Sequence, residues 1–145
     1  MSQYYELDDA TLWNPSNGVS RLFLGQVRLF EDELGVASGI GPMEADACEV
    51  VPAQLGRFVD ALLDWRGRTN HAVIQAFSDG FIATMLVLAE RANVELDRNM
   101  SAPNTVEGMH DLQASSIPLP RSGEAPGWSV AVHEHAHELA RFMSR

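Results

Sequence analysis

The sequence predicts an α+β fold: about four helices with a small antiparallel sheet built from an N-terminal hairpin. Apolar residues recur at helical spacing in several separate stretches. Aromatic and β-branched residues gather near the N-terminus around an acidic turn. Asn14-Pro15, Gly35, Pro52 and Gly67 punctuate the chain where helices would start and stop.

Tyr4, Tyr5 and Leu7 on one side, and Thr11, Leu12 and Trp13 on the other, flank Asp8-Asp9-Ala10. This pattern predicts a short hairpin. Asn14 is a candidate N-cap with Pro15 at the first helical position, so the first helix should run to Leu34 and stop at Gly35. Its apolar stripe is Val19, Phe23, Val27, Phe30 and Leu34, flanked by Leu22 and Leu29. Residues 39–42 form a turn, and residues 46–51 form a third strand beside the hairpin. Pro52 opens a second helix with Leu55, Phe58, Val59, Leu62 and Leu63 on one side; Gly67, Thr69 and Asn70 end it. The third helix spans about 71–93, with a kink expected at Gly80. From 81 to 89 it is apolar nearly all round, as the central helix of a bundle is. Residues 94–126 hold Pro103, Pro118, Pro120 and Pro126 among Ser, Asn and Gly. They read as a Pro/Ser-rich connector, either wrapped on the surface or flexible, with one short helix near 106–112. A last helix over 128–143 aligns Val132, Ala136, Leu139 and Met143.

At 145 residues the chain fits one globular domain, 1–145, with a single core. It has no apolar run of the ~18 residues that a membrane span needs, and no basic or apolar leader at its start. A cytoplasmic location is the expectation. The single cysteine, Cys48, agrees with a reducing compartment, and Asp46 and Glu49 beside it disfavour the thiolate, so it reads as inert. All ten basic residues are arginine, and the net charge is −10. That balance argues against a nucleic-acid ligand and favours capture of a basic protein. Glu31, Asp32 and Glu33 sit in the last turn of the first helix, where the helix dipole disfavours them. With Glu44 and Asp46 they are the candidate partner-binding residues.

His133-Glu134-His135-Ala136-His137 matches the H-E-x-x-H pattern. On a helix, His133 and His137 share a face and can share one zinc ion, with Glu134 as the base toward a metal-bound water. A third ligand does not follow downstream, since Ala140 and Met143 hold the positions that an extended motif requires. His71 or His110 would have to supply it. The competing reading is the polar side of an amphipathic helix. Read as a strand instead, His133, His135 and His137 would line one face. Gly39-x-Gly41-Pro42 has no following cation for a phosphate, and Glu44, Asp46 and Glu49 lack the closing acid of a calcium loop. Trp13, Asn14, Ser16 and Asn17 form a locally determined stretch that offers polar groups for a pocket.

Two strings, 12–24 (LWNPSNGVSRLFL) and 41–50 (GPMEADACEV), resemble an uncharacterised family of small actinobacterial proteins, a domain of unknown function. The resemblance covers roughly residues 3–93 and implies no activity, cofactor or catalytic residue. The leading expectation is therefore a non-catalytic, cofactor-free interaction protein with an acidic surface, an immunity- or antitoxin-type inhibitor being one version. The alternatives are a zinc-binding protein or metal-dependent hydrolase using the histidines, and a module that self-associates through an exposed Met or Phe of the last helix.

Overall fold

The computed structural model describes residues 1–96 and 127–145. The chain begins with β1 (Tyr4–Leu7) and β2 (Ala10–Trp13), an antiparallel hairpin turned at Asp8, which takes a left-handed φ of 52°. A bulge between Tyr5 and Glu6 shifts the register. Helix α1 (Asn17–Leu34) follows, then β3 (Ala47–Glu49). The strand order is β2-β1-β3, and β3 pairs with β1 in parallel. The fold is α+β as expected, but the sheet is mixed rather than wholly antiparallel. The cause is a reversal that the strand pattern conceals. Residues 40–44 first run antiparallel to 47–50, and the chain turns back through Ala45 and Asp46 at φ 48° and 68°. That second hairpin delivers β3 in the direction of β1.

The β3 edge is covered and the end of the β2 edge is tied to the chain tail, which shortens the unpaired rows that invite aggregation. Residues 39–44 cover the edge of β3, with Gly41 N–H donating to Glu49 O at 3.0 Å and Val51 N–H to Gly39 O at 2.7 Å. Gly39 sits there at φ 74°, and a Cβ would stand 2.6 Å from Val51 O. On the other edge, Asn14 N–H donates to Ser144 O at 2.9 Å and Ser144 Oγ donates to Asn14 O at 2.8 Å.

These tail contacts explain why α1 starts at Asn17 behind Ser16, not at Pro15. Asn14 and Pro15 continue the extended strand, where Pro15 O accepts from Gln3 N–H at 2.9 Å. The C-terminus falls where expected: Gly35 is left-handed, and its N–H closes on Glu31 O. The buried face of α1 is narrower than its apolar pattern. Phe23, Val27 and Phe30 are buried, whereas Val19, Leu22 and Leu29 are exposed.

Helices α2 (Pro52–Gly67) and α3 (Ala72–Arg91) form the centre. Pro52 stands in the first turn of α2, and all five predicted stripe residues are buried. His71 caps α3 by accepting from Val73 N–H, and Gly80 lies within one continuous helix. By length and composition α3 would suffice to cross a membrane, a test that buried core helices also pass; 81–83 and 85–89 are buried in this core. Helix α4 (Gly127–Leu139) follows the undescribed stretch, so the strand alternative for the histidines does not hold. Most of the predicted connector, including the short helix near 106–112, lies outside the described residues.

Aromatic rings join the sheet to the helices. Phe23 meets Tyr5 and Trp13 edge-on at centroid distances of 5.5 and 5.1 Å, and Phe30 stacks on Phe81 at 4.7 Å. Arg66, 2% exposed, pairs with Asp79 of α3 and lies 4.6 Å over the Trp128 ring of α4, so one cation ties three helices.

Candidate functional site

Period-two alternation decides what the sheet shows to solvent. Tyr5 and Cys48 are register partners and both point inward, fully buried. Their neighbours therefore point outward. Glu6 and Glu49 are register partners on that outer face, Glu49 exposed and Glu6 half-buried. Two carboxylates side by side repel each other and destabilise the pairing locally. The turns extend the charge. Glu44 and Asp46 lie where Tyr4 N–H donates to Asp46 O at 2.8 Å, at the start of the parallel pair, and Asp8 and Asp9 lie at its far end. Neither 1–20 nor 29–56 contains an arginine, so the strands and their turns carry no balancing cation of their own.

The structure separates the five predicted acidic residues into two groups. Glu44 and Asp46 join the sheet face. Glu31 is held at the opposite end of the 40–50 hairpin, where its Oε1 accepts from Ser38 N–H at 2.8 Å and from Ser38 Oγ at 2.6 Å. About four ladder residues, roughly 13 Å, separate the two ends. Asp32 and Glu33 are exposed in the last turn of α1. Sequence reasoning missed Glu6, Asp8 and Asp9, and weighed Glu49 only as a cation ligand. The arginine-free stretches were the available signal, but the pairing of Glu6 with Glu49 depends on a parallel register that no local pattern encodes.

Trp13 is buried against Tyr5 and Phe23, Ser16 and Asn17 are exposed at the start of α1, and the Asn14 backbone pairs with Ser144. An open depression of about 450 Å³ lies elsewhere, between the C-terminal ends of α3 and the chain, lined by Val87, Glu90, Arg91, Asn93, Ala140 and Arg145. Arg91 there donates to Leu12 O, Ala140 O and Met143 O at 2.7–2.9 Å, which pins the tail to β2. Desolvation lowers the Arg91 pKa from its ordinary value.

His133, Glu134, His135 and His137 are all exposed on α4. A carbonyl only accepts, so the 2.7 Å contact from His133 Nδ1 to Ser129 O places the ring proton on Nδ1. Nε2 is then a bare lone pair. His71 is the cap of α3, and His110 lies outside the described residues. Among the described residues, no three His, Cys, Asp or Glu side chains converge as a metal-binding group. Cys48 donates to Gly41 O at 3.1 Å, and burial, with Glu49 nearby, pushes its thiol up to about 11.

These features define a small α+β protein in which a three-stranded mixed sheet covers a helical core and turns an acidic face outward. The chain belongs to a family of unknown function (DUF6086), whose model matches residues 1–145. The match takes in α4 and its histidines, beyond the 3–93 stretch that carried the resemblance. Comparison with curated proteins and with solved structures found no match.

Proposed function

We propose that this protein is a non-catalytic interaction module that binds a basic protein segment on the outer face of its sheet. The observation that supports it most is the Glu6–Glu49 pairing, framed by Glu44, Asp46, Asp8 and Asp9 and free of arginine on every strand. Adjacent carboxylates raise the free energy of the unbound face, and a cationic partner relieves that repulsion. Restraint of a basic enzyme by an immunity- or antitoxin-type inhibitor is one form of this role. The test compares the native chain with a Glu6→Arg/Glu49→Arg variant, its fold checked by circular dichroism. Both are used as bait in extract of the native host at low salt. Basic proteins should be retained by the native chain alone and released by about 0.3–0.5 M salt, where screening is strong over a few ångströms. Identical retention by both forms, or none above the resin control, would end this reading.

A metal-binding role for α4 is the second reading, supported by the His133 Nδ1–Ser129 O contact, which aims the Nε2 lone pair away from its own backbone. His137 stands one turn on, while His135 lies off that face. Tag-free protein titrated with zinc should lose binding on His133→Ala or His137→Ala and keep it on His135→Ala. Equal losses from all three variants would dismiss the site.

A further inference from the structure

A monomeric surface helix is apolar on one side. Helix α1 is apolar on two. Phe23, Val27 and Phe30 fill its inner side, while Val19, Leu22 and Leu29 stand 48%, 71% and 61% exposed. The outer residues are ordered. Gly18, Leu22, Gly25 and Leu29 follow one another at spacings of four, three and four, the a/d seam of a two-stranded coil. Glycine in a helix interior, as at Gly25, costs about 1 kcal/mol against alanine. Among the described residues nothing requires it here, because a Cβ at Gly18 or Gly25 would meet no atom within 4 Å. Two small residues alternating with two exposed leucines fit the close approach of another helix.

We propose that this face seats on the same face of a second copy, with the two α1 helices parallel. Charge selects both the occupant and the direction. Arg21 and Arg28 flank the seam on one side, and Gln26 and Glu33 flank it on the other. In a parallel pair, each flank meets the opposite flank of the partner helix five residues further on. Arg28 then faces Glu33 of the second copy, and the two-fold axis makes that pair twice. Arg21 likewise faces Gln26. An antiparallel pair would instead set arginine flank against arginine flank. Among the described residues, Arg28 and Glu33 take part in no ion pair within the chain. Asp32 holds the next seam position after Leu29 and ends the seam by self-repulsion across the axis. From Gly18 to Leu29 the seam is short, about 18 Å, so the association is weak and reversible. This surface is separate from the acidic sheet face, and the inference does not rest on the proposed function.

Sedimentation equilibrium of the full chain over about 1–500 µM, the range of weak interfaces, tests it. The mass should rise from one chain to two. Leu22→Glu, which alters a side chain exposed in the monomer, should hold the mass at one chain with an unchanged circular dichroism spectrum. Arg28→Glu or Glu33→Arg alone should weaken the dimer at least about tenfold, the double swap should restore it, and Asp32→Leu should tighten it. A single-chain mass at every concentration would overturn the proposal, as it would if residues 97–126 or an unrelated partner cover this face. A dimer indifferent to Leu22→Glu, or a double swap that fails to restore association, would overturn it equally.

Discussion

Tyr5 shows how much one position carries. Its ring is fully buried between Trp13 and Phe23, and its hydroxyl shares a 2.6 Å hydrogen bond with buried Ser20. Tyr5→Phe leaves the Ser20 hydroxyl without that partner and should cost about 1–2 kcal/mol by urea unfolding. Burial also pushes the Tyr5 pKa from 10.0 up to about 12, and that of Cys48 from 9.0 up to about 11. Both shifts favour the protonated form in the fold. Between pH 9 and 12 the folded chain keeps protons that the unfolded chain releases, so stability falls as pH rises. Their contribution is intact below about pH 9, and Cys48→Ala should flatten the decline between pH 9 and 11, read from urea midpoints. Gly39→Ala forces a Cβ against Val51 O at a left-handed φ and should destabilise by about 3 kcal/mol.

At the scale of elements, two arginines hold the helices in place. Arg66 donates through Nε and Nη2 to the two Asp79 oxygens, at 2.5 and 3.2 Å. Asp79→Ala strands a buried cation. Because the Asp79 side chain is 36% exposed, the cost should be about 2–4 kcal/mol, below that of a fully buried pair. Arg91 links α3 to β2 and to the tail. Arg91→Ala should release the tail before the core: the Asn14 amide, bonded to Ser144 O, should exchange far faster while amides within α2 stay protected. Most element boundaries were legible in the sequence because their causes are local. Pro52 and Gly35 act through their own backbone torsions, and the α2 stripe through its periodicity. The start of α1 was not, because Asn14 and Pro15 bond to residues 144 and 3.

For the whole molecule, net charge and its placement are separate matters. The total of −10 is plain from composition, and it predicts capture of a basic partner that weakens as salt is added. Where the charge gathers depends on pairing. Glu6 and Glu49 lie 43 positions apart and share a face only because β3 returns parallel to β1. Glu31, grouped with the acidic residues by its neighbours in sequence, is instead bound to Ser38. The histidines illustrate the converse. Their adjacency in sequence suggests a site, yet α4 leaves all three exposed without a third ligand among the described residues.

The sequence by itself determined the α+β class, the α2 and α3 cores and the C-terminal stop of α1. Each follows from short-range torsional preference or from the period of apolar residues. The tertiary structure alone decided the parallel strand, the acidic outer face, the locked tail and the second apolar side of α1. These depend on contacts between residues far apart in the chain, whose pairing is settled by the packing of the whole core.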